Sequence, residues 1–311
     1  MRKENFLGCL LGLAVGDAVG TTIEFKRPGT FAPVTDMVGG GPFQLEPGQW
    51  TDDTSMALCL AESLLLCEGF SAHDQMKRYL RWYRDGYYSS TGDCFDIGIT
   101  TRSALEHFER TGEPYAGSTD PNTAGNGSLM RLAPIAMFRA SFMKLAIAEA
   151  ALSSKTTHGA IEAVDACRFF ASLLVGALNG VAKEELLQPN YESWLWDDIQ
   201  LSPAIHEIYS GSFKQKNTPE IQGTGYVVKT LEAVLWAFYR TISFEEGLLQ
   251  VVNLGDDADT TGAVYGQLAG AYYGSDAIPK QWLQKLHDRE TISGLANGLH
   301  ELHIGSLSSQ D

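Results

Sequence analysis

Two acidic clusters stand some two hundred residues apart in the chain: Thr51-Asp52-Asp53-Thr54 and Asp256-Asp257-Ala258-Asp259-Thr260-Thr261. Each mixes carboxylates with hydroxyls, and each directly precedes an apolar segment that reads as a helix. Oxygen-only clusters suit hard cations such as Mg²⁺ or Mn²⁺. Brought together by folding, the two could hold a two-metal centre that activates water and polarises substrate oxygens. Taken singly, each acidic pair is also what a helix N-terminus favours through capping and its dipole. Density points further. Asp256, Asp257 and Asp259 repel one another, two caps do not explain three carboxylates, and a cation would relieve the repulsion.

Weaker signals lie between the clusters. Gly125-Asn126-Gly127-Ser128 reads either as an ordinary turn with Asn126 or Ser128 as a helix cap, or as a Gly-rich loop. In the second reading its backbone amides receive phosphate at a helix N-terminus. Arg131, one turn further on, either adds charge or is simply solvated. Asp17, framed by Gly16 and Gly20, fits tight helix packing with its carboxylate on a nearby N–H. His158 and Asp96 are plausible caps, and the seven histidines are scattered without metal-ligand spacing. No GxSxG elbow, HExxH, Walker A or GxGxxG in a strand-turn-helix setting is present.

The elements that must position these residues are helices. Helical spacing or capping marks residues 4–19, 53–67, 72–85, 96–110, 127–139, 141–153, 159–180, 203–210, 224–241, 244–253, 258–273, 279–287 and 290–302. Ser71 caps one of them, and Ser243 with Glu246 forms a capping-box pattern. Only residues 34–38 alternate faintly like a strand. The expected fold is therefore an all-α, single-domain bundle of many helices over 1–311. The less regular 184–222 segment, with Trp194, Trp196, Asp197 and Asp198, is expected to be an insertion or a lid.

Bulk properties narrow the class. The chain has 311 residues, 44% of them hydrophobic, enough for a large core. A formal charge of −15 argues against nucleic acid as the main partner, because affinity there comes from Lys and Arg on phosphates. Five cysteines without CxxC spacing suggest reduced thiols in a cytoplasmic protein. The apolar run over 6–15 imitates a short signal peptide but reads better as a small-residue core helix. No stretch is expected to be long enough and apolar enough for a transmembrane helix. No long exposed apolar face stands out, so a monomer is expected.

Read in order, the motifs resemble those of the ADP-ribosylglycohydrolase family. They run from Gly8-Cys9-Leu10-Leu11-Gly12 through Gly16-Asp17-Ala18-Val19-Gly20 and Glu24 to Gly48-Gln49-Trp50-Thr51-Asp52-Asp53-Thr54. Phe95-Asp96-Ile97-Gly98, Gly125-Asn126-Gly127-Ser128-Leu129-Met130-Arg131, Thr157-His158, Gly225-Tyr226 and Gly255-Asp256-Asp257-Ala258-Asp259-Thr260-Thr261-Gly262 follow. The resemblance implies an orthogonal bundle with two Mg²⁺ or Mn²⁺ ions in a central cleft. It implies Thr51, Asp52, Asp53, Asp257, Asp259 and Thr260 as metal ligands, with Asp256 their neighbour.

It also implies cleavage between C1″ of the distal ribose and an acceptor on a modified protein, releasing ADP-ribose. Gly125, Asn126, Gly127 and Ser128 would then hold the pyrophosphate, with His158 and Tyr226 also at the substrate. Asp96 and Glu24 are the candidate proton carriers, and Asp53 or Asp259 could also accept a proton from bound water. Glu24 could instead gate the cleft. Thr21-Thr22-Ile23-Glu24-Phe25 and Gly39-Gly40-Gly41 look more like the arginine-acting nitrogenase-regulating branch than like the serine-linked eukaryotic one. The expected substrate is thus the N-glycosidic bond of ADP-ribosyl-arginine. The alternatives are O-linked ADP-ribose (on serine, or as O-acetyl-ADP-ribose) and non-catalytic ADP-ribose binding, against which the intact acidic clusters argue.

Overall fold

The computed structural model describes residues 1–189, 191–192 and 199–308. These form fourteen α-helices and, among the described residues, no strand. The axis of the fold is the pairing of α1 (Lys3–Gly20) with α12 (Ala258–Tyr273). Gly8, Gly12, Gly16 and Gly20 line one face of α1 at four-residue intervals, and meet Gly270, Gly266, Gly262 and Ala258 in reverse order. The two helices are therefore antiparallel. They touch so closely that a Cβ at Gly12 or Gly16 would overlap a carbonyl of the opposite helix. This brings the C-terminal end of α1 against the N-terminal end of α12.

The other helices wrap this pair. α2 (Asp52–Cys67) and α14 (Arg289–Ser308) pack on α1, while α7 (Ile161–Leu178), α10 (Val227–Arg240) and α11 (Phe244–Val252) pack on α12. α3 (Ala72–Asp85), α4 (Ile99–Thr111), α5 (Ala133–Phe138) and α6 (Met143–Thr157) close the side facing α2 and α7. The short α13 (Lys280–Lys285) also touches α1. Trp50, Trp82, Trp282 and Tyr79 are essentially fully buried. Each such ring adds at least the roughly 1.5–3 kcal/mol of a large apolar side chain.

Ser71 and Ser243 cap α3 and α11 as expected, each accepting from the amide three residues on. Several expectations are corrected. The helix foreseen over 127–139 is a series of turns followed by α5 alone. Pro134 is tolerated in the first turn of α5 but, in a helix begun at 127, would lack an N–H and clash with the carbonyl four residues back. The helix foreseen from 96 starts at Ile99, because Asp96 has a left-handed backbone (φ 59°). The 34–38 segment is no strand. Asn253 takes its backbone groups instead, accepting from Val34 N at 2.7 Å and donating to Val34 O at 2.9 Å.

Residues 3–23 are, against expectation, long and apolar enough to cross a membrane, yet 89% of that stretch is buried inside the protein. α1 is a core helix. The described parts of 184–222 include α8 (Lys183–Leu186) and α9 (Pro203–Tyr209), whose Leu186, Ile205 and Ile208 are buried in the core. Trp194, Trp196, Asp197 and Asp198 lie outside the described residues. All five cysteines are free thiols.

Candidate metal centre and substrate cleft

The α1–α12 crossing sets the first part of the site. Asp17, one turn before the end of α1, is fully buried and reaches the start of α2. Its Oδ1 accepts from Thr51 N (2.9 Å) and Thr51 Oγ1 (3.0 Å), and its Oδ2 from Thr54 N (3.1 Å) and Thr54 Oγ1 (2.6 Å). Asp17 thus caps α2 from another helix, satisfying amides that α2 cannot pair itself. Burial, opposed by these bonds, pushes its carboxyl up to about 6. The small-residue frame around Asp17 was the only sequence signal for this role.

Around that anchor the two acidic clusters converge. One oxygen from each of Asp17, Asp53 and Asp259 lies within 4.8 Å of the others, and the same holds for Glu24, Asp96 and Asp259. Asp259 is common to both groups. Asp17 is already saturated with donors, which leaves Asp53 and Asp259 with capacity. Asp53 Oδ1 and Asp259 Oδ1 are buried without a hydrogen-bond partner in the protein. Thr51 Oγ1 stands 3.0 Å from Asp17, 3.0 Å from Asp53 and 3.2 Å from Asp259, and its single proton serves only one of them. Thr260 Oγ1 lies 3.4 Å from Asp53. Unpaired buried oxygens at close range, with no cationic side chain among them, fit a hard cation.

The electrostatics agree. Burial raises Asp52, Asp53 and Asp259 well above the carboxylate range, and mutual repulsion adds to it: Asp96 on Asp52, Asp17 on Asp53, Glu24 on Asp259. Glu24 is pushed to about 10 by burial and by Asp96, and Asp96 to about 7 by burial and by Asp257. Asp257 is also raised by burial, while a 2.7 Å bond from Asn126 Nδ2 opposes the rise.

Glu24, Asp52, Asp96 and Asp257 line a cleft of about 700 Å³, while Asp17, Asp53 and Asp259 are buried outside its lining. Its lining includes Glu24, Asp52, Asp96, Asp256, Asp257 and Thr260 on one wall and Gly125, Asn126, Gly127 and His158 on the other. The mouth carries three non-glycine residues with left-handed backbones: Phe25 (φ 61°), Asp96 (φ 59°) and Asp256 (φ 53°). Phe25 N donates to Asp256 O at 2.7 Å and Asp256 N to Lys26 O at 2.8 Å, which holds Glu24 over the acidic floor. That backbone clasp is a use for Asp256 that spacing did not reveal.

The opposite wall has different chemistry. Gly125 pairs as an isolated bridge with Tyr226, and Asn126 N donates to Gly225 O at 3.2 Å. Because α5 begins only at Ala133, the loop does not itself lead into a helix; the N-terminus of α10 meets it instead, Val227 N donating to Ala124 O at 3.1 Å. Ser128 is buried with its hydroxyl 2.9 Å from Ser154 and does not line the cleft. Tyr226 is 40% exposed and donates to Glu162 at 2.6 Å, in a neighbouring hollow that shares Gly125 and Gly225 with the cleft. Arg131 is fully buried rather than solvated. It donates to Gly127 O at 2.8 Å and lies over the Tyr79 ring.

Comparison with known proteins places this geometry. The profile of the ADP-ribosylglycohydrolase family matches residues 1–307. The chain is 47% identical over 294 residues to the ADP-ribosylarginine hydrolase Tri1 of Pseudomonas putida, covering 94% of this chain and 77% of that protein. It is 45% identical over 292 residues to the protein of the same name from Serratia proteamaculans, covering 94% and 78%. A solved structure described as an ADP-ribosylglycohydrolase-related protein complex superposes with a TM-score of 0.86 at 50% identity, over 97% of this chain and 99% of that one.

Proposed function

The chain belongs to the ADP-ribosylglycohydrolase family, and on that footing we propose that it is a metal-dependent hydrolase removing ADP-ribose from arginine side chains of modified proteins. The observation that carries the reading is the pair of carboxylate groups sharing the buried Asp259, one of which reaches a 700 Å³ cleft through Glu24 and Asp96. The arginine acceptor is supported by the two relatives at 45% and 47% identity, both named for that substrate. Free thiols fit a reducing compartment, and we place the protein in the cytoplasm.

Thr51, Asp52, Asp53, Asp257, Asp259 and Thr260 would hold two divalent cations, Mg²⁺ or Mn²⁺. Bound there, such cations polarise substrate oxygens. The protein's own residues do the rest. The 125–127 loop and His158 would receive the pyrophosphate side of the substrate, and Tyr226, in the adjoining hollow, would meet a part of it that extends beyond the cleft. Glu24 and Asp96 move protons at the glycosidic bond, since both face the cleft and both are held toward the protonated form. The strongly acidic cleft also suits a cationic guanidinium as leaving group.

The test is release of ADP-ribose from an arginine-ADP-ribosylated protein with Mg²⁺, Mn²⁺ or EDTA, beside a serine-ADP-ribosylated control. Metal-dependent release from the arginine substrate alone is expected. Release only from the serine substrate would move the acceptor, and release unaffected by EDTA would sink the metal reading.

A further inference from the structure

Arg131 is a buried cation without a carboxylate partner among the described residues. Its Nη1 is spent on Gly127 O, and its Nη2 donates to Thr157 Oγ1 at 2.7 Å, with Thr156 Oγ1 and Ser153 O at 3.2 and 3.4 Å. A guanidinium only donates, so Thr157 Oγ1 must accept there and direct its own proton elsewhere. His158 Nδ1 lies 2.9 Å from that oxygen and is the other described partner of the hydroxyl. The hydroxyl proton has no other described acceptor, so the arrangement that leaves no buried donor unpaired has Nδ1 accepting it and the imidazole proton on Nε2. The Nε2 edge of the ring faces Gly125 and Gly127, where a Cβ at Gly127 would come 2.8 Å from Cε1 and 3.2 Å from Nε2. Glycine at 127 is what lets the ring reach the cleft wall.

We infer that Arg131 and Thr157 form a relay that locks His158 as its Nε2–H tautomer, presenting an uncharged hydrogen-bond donor to a phosphate oxygen bound against the 125–127 loop. Arg131 and Thr157 are then positioning residues. His158 is a donor to ligand, not a base. Burial and the nearby Arg131 charge also keep the ring neutral, with its pKa lowered to about 3. A neutral donor in this place binds an anionic ligand without adding a cation that would compete with divalent ions on the acidic wall. The identity of the ligand atom rests on the functional reading above. The tautomer does not.

Two measurements separate these parts. Long-range ¹H–¹⁵N correlation spectra of the ¹⁵N-histidine-labelled full chain, without ligand, should show His158 protonated at Nε2 from pH 5 to 8. Protonation at Nδ1, or a mixture of tautomers, would overturn the relay. Thr157→Val removes the hydroxyl at nearly constant shape, and should shift the tautomer and weaken ADP-ribose binding about tenfold. Thr157→Ser should restore both. Mn²⁺ affinity should be unchanged in either variant. A Thr157→Val protein with wild-type tautomer and wild-type affinity would refute the proposal. An Nε2–H ring in a protein that binds no ADP-ribose would keep the relay and discard the ADP-ribose reading.

Discussion

The two walls of the cleft solve opposite problems. The acidic wall of Glu24, Asp52, Asp96 and Asp257, with Asp53 and Asp259 buried near it, gathers carboxylates whose burial and mutual repulsion drive their proton affinities up. It leaves Asp53 Oδ1, Asp259 Oδ1 and Glu24 Oε2 without partners. The facing wall of Gly125, Asn126, Gly127 and His158 has no carboxylate, and its buried Arg131 is engaged through both terminal nitrogens. The unpaired atoms of one wall are acceptors suited to a cation, whereas the other leaves only the donor Arg131 Nε unpaired beneath it. A ligand with an anionic end and a polyol end would meet both. Asn126 is the seam, its Nδ2 shared between Asp257 at 2.7 Å and Thr230 at 2.9 Å.

The contrast can be broken most severely at Asp259, the carboxylate common to both groups. Asp259→Ala should lower kcat/KM on the order of 10³-fold or more. Because it removes one repelling charge, its metal-free melting temperature should equal or exceed that of the metal-free wild type. Full activity would end the assignment. Next comes the seam. Asn126→Ala removes the bond that opposes the rise of Asp257, so protons compete better for that site. Divalent-ion affinity, read by Mn²⁺ titration with electron paramagnetic resonance, should fall roughly 10-fold or more. Unchanged affinity would mean that the walls are independent.

The smallest effect is on stability against pH. Asp17, Asp96 and Glu24 are raised to about 6, 7 and 10, above the ordinary carboxylate value of about 4. A raised carboxyl favours the fold fully below the unfolded value and loses that contribution as pH climbs through the folded one. In EDTA the melting temperature should therefore decline between pH 5 and pH 8. Added Mg²⁺ or Mn²⁺ should raise it by a few degrees, and by more at pH 8 than at pH 5, since bound ions replace protons. A melting temperature that climbs with pH in EDTA, with equal metal shifts at both pH values, would contradict the acidic wall as described.

Local chemistry made the helices readable. Small apolar residues at helical spacing, with Ser71 and Ser243 as caps, foretold α1, α3, α11 and α12 to within a residue or two. The oxygen-rich character of the site was readable for the same reason, because carboxylates and hydroxyls of this density have few other uses. Residue types and spacing thus determined an all-α chain with an acidic, cation-suited centre. They could not decide which side chains share an oxygen cluster, since Asp53 and Asp259 meet across 206 residues only because a glycine stripe lets α1 and α12 touch. Nor could they place Arg131 in the core, cap α2 with Asp17, or turn Ser128 away from the cleft. Those outcomes depend on distances between elements remote in sequence, and only tertiary packing sets such distances.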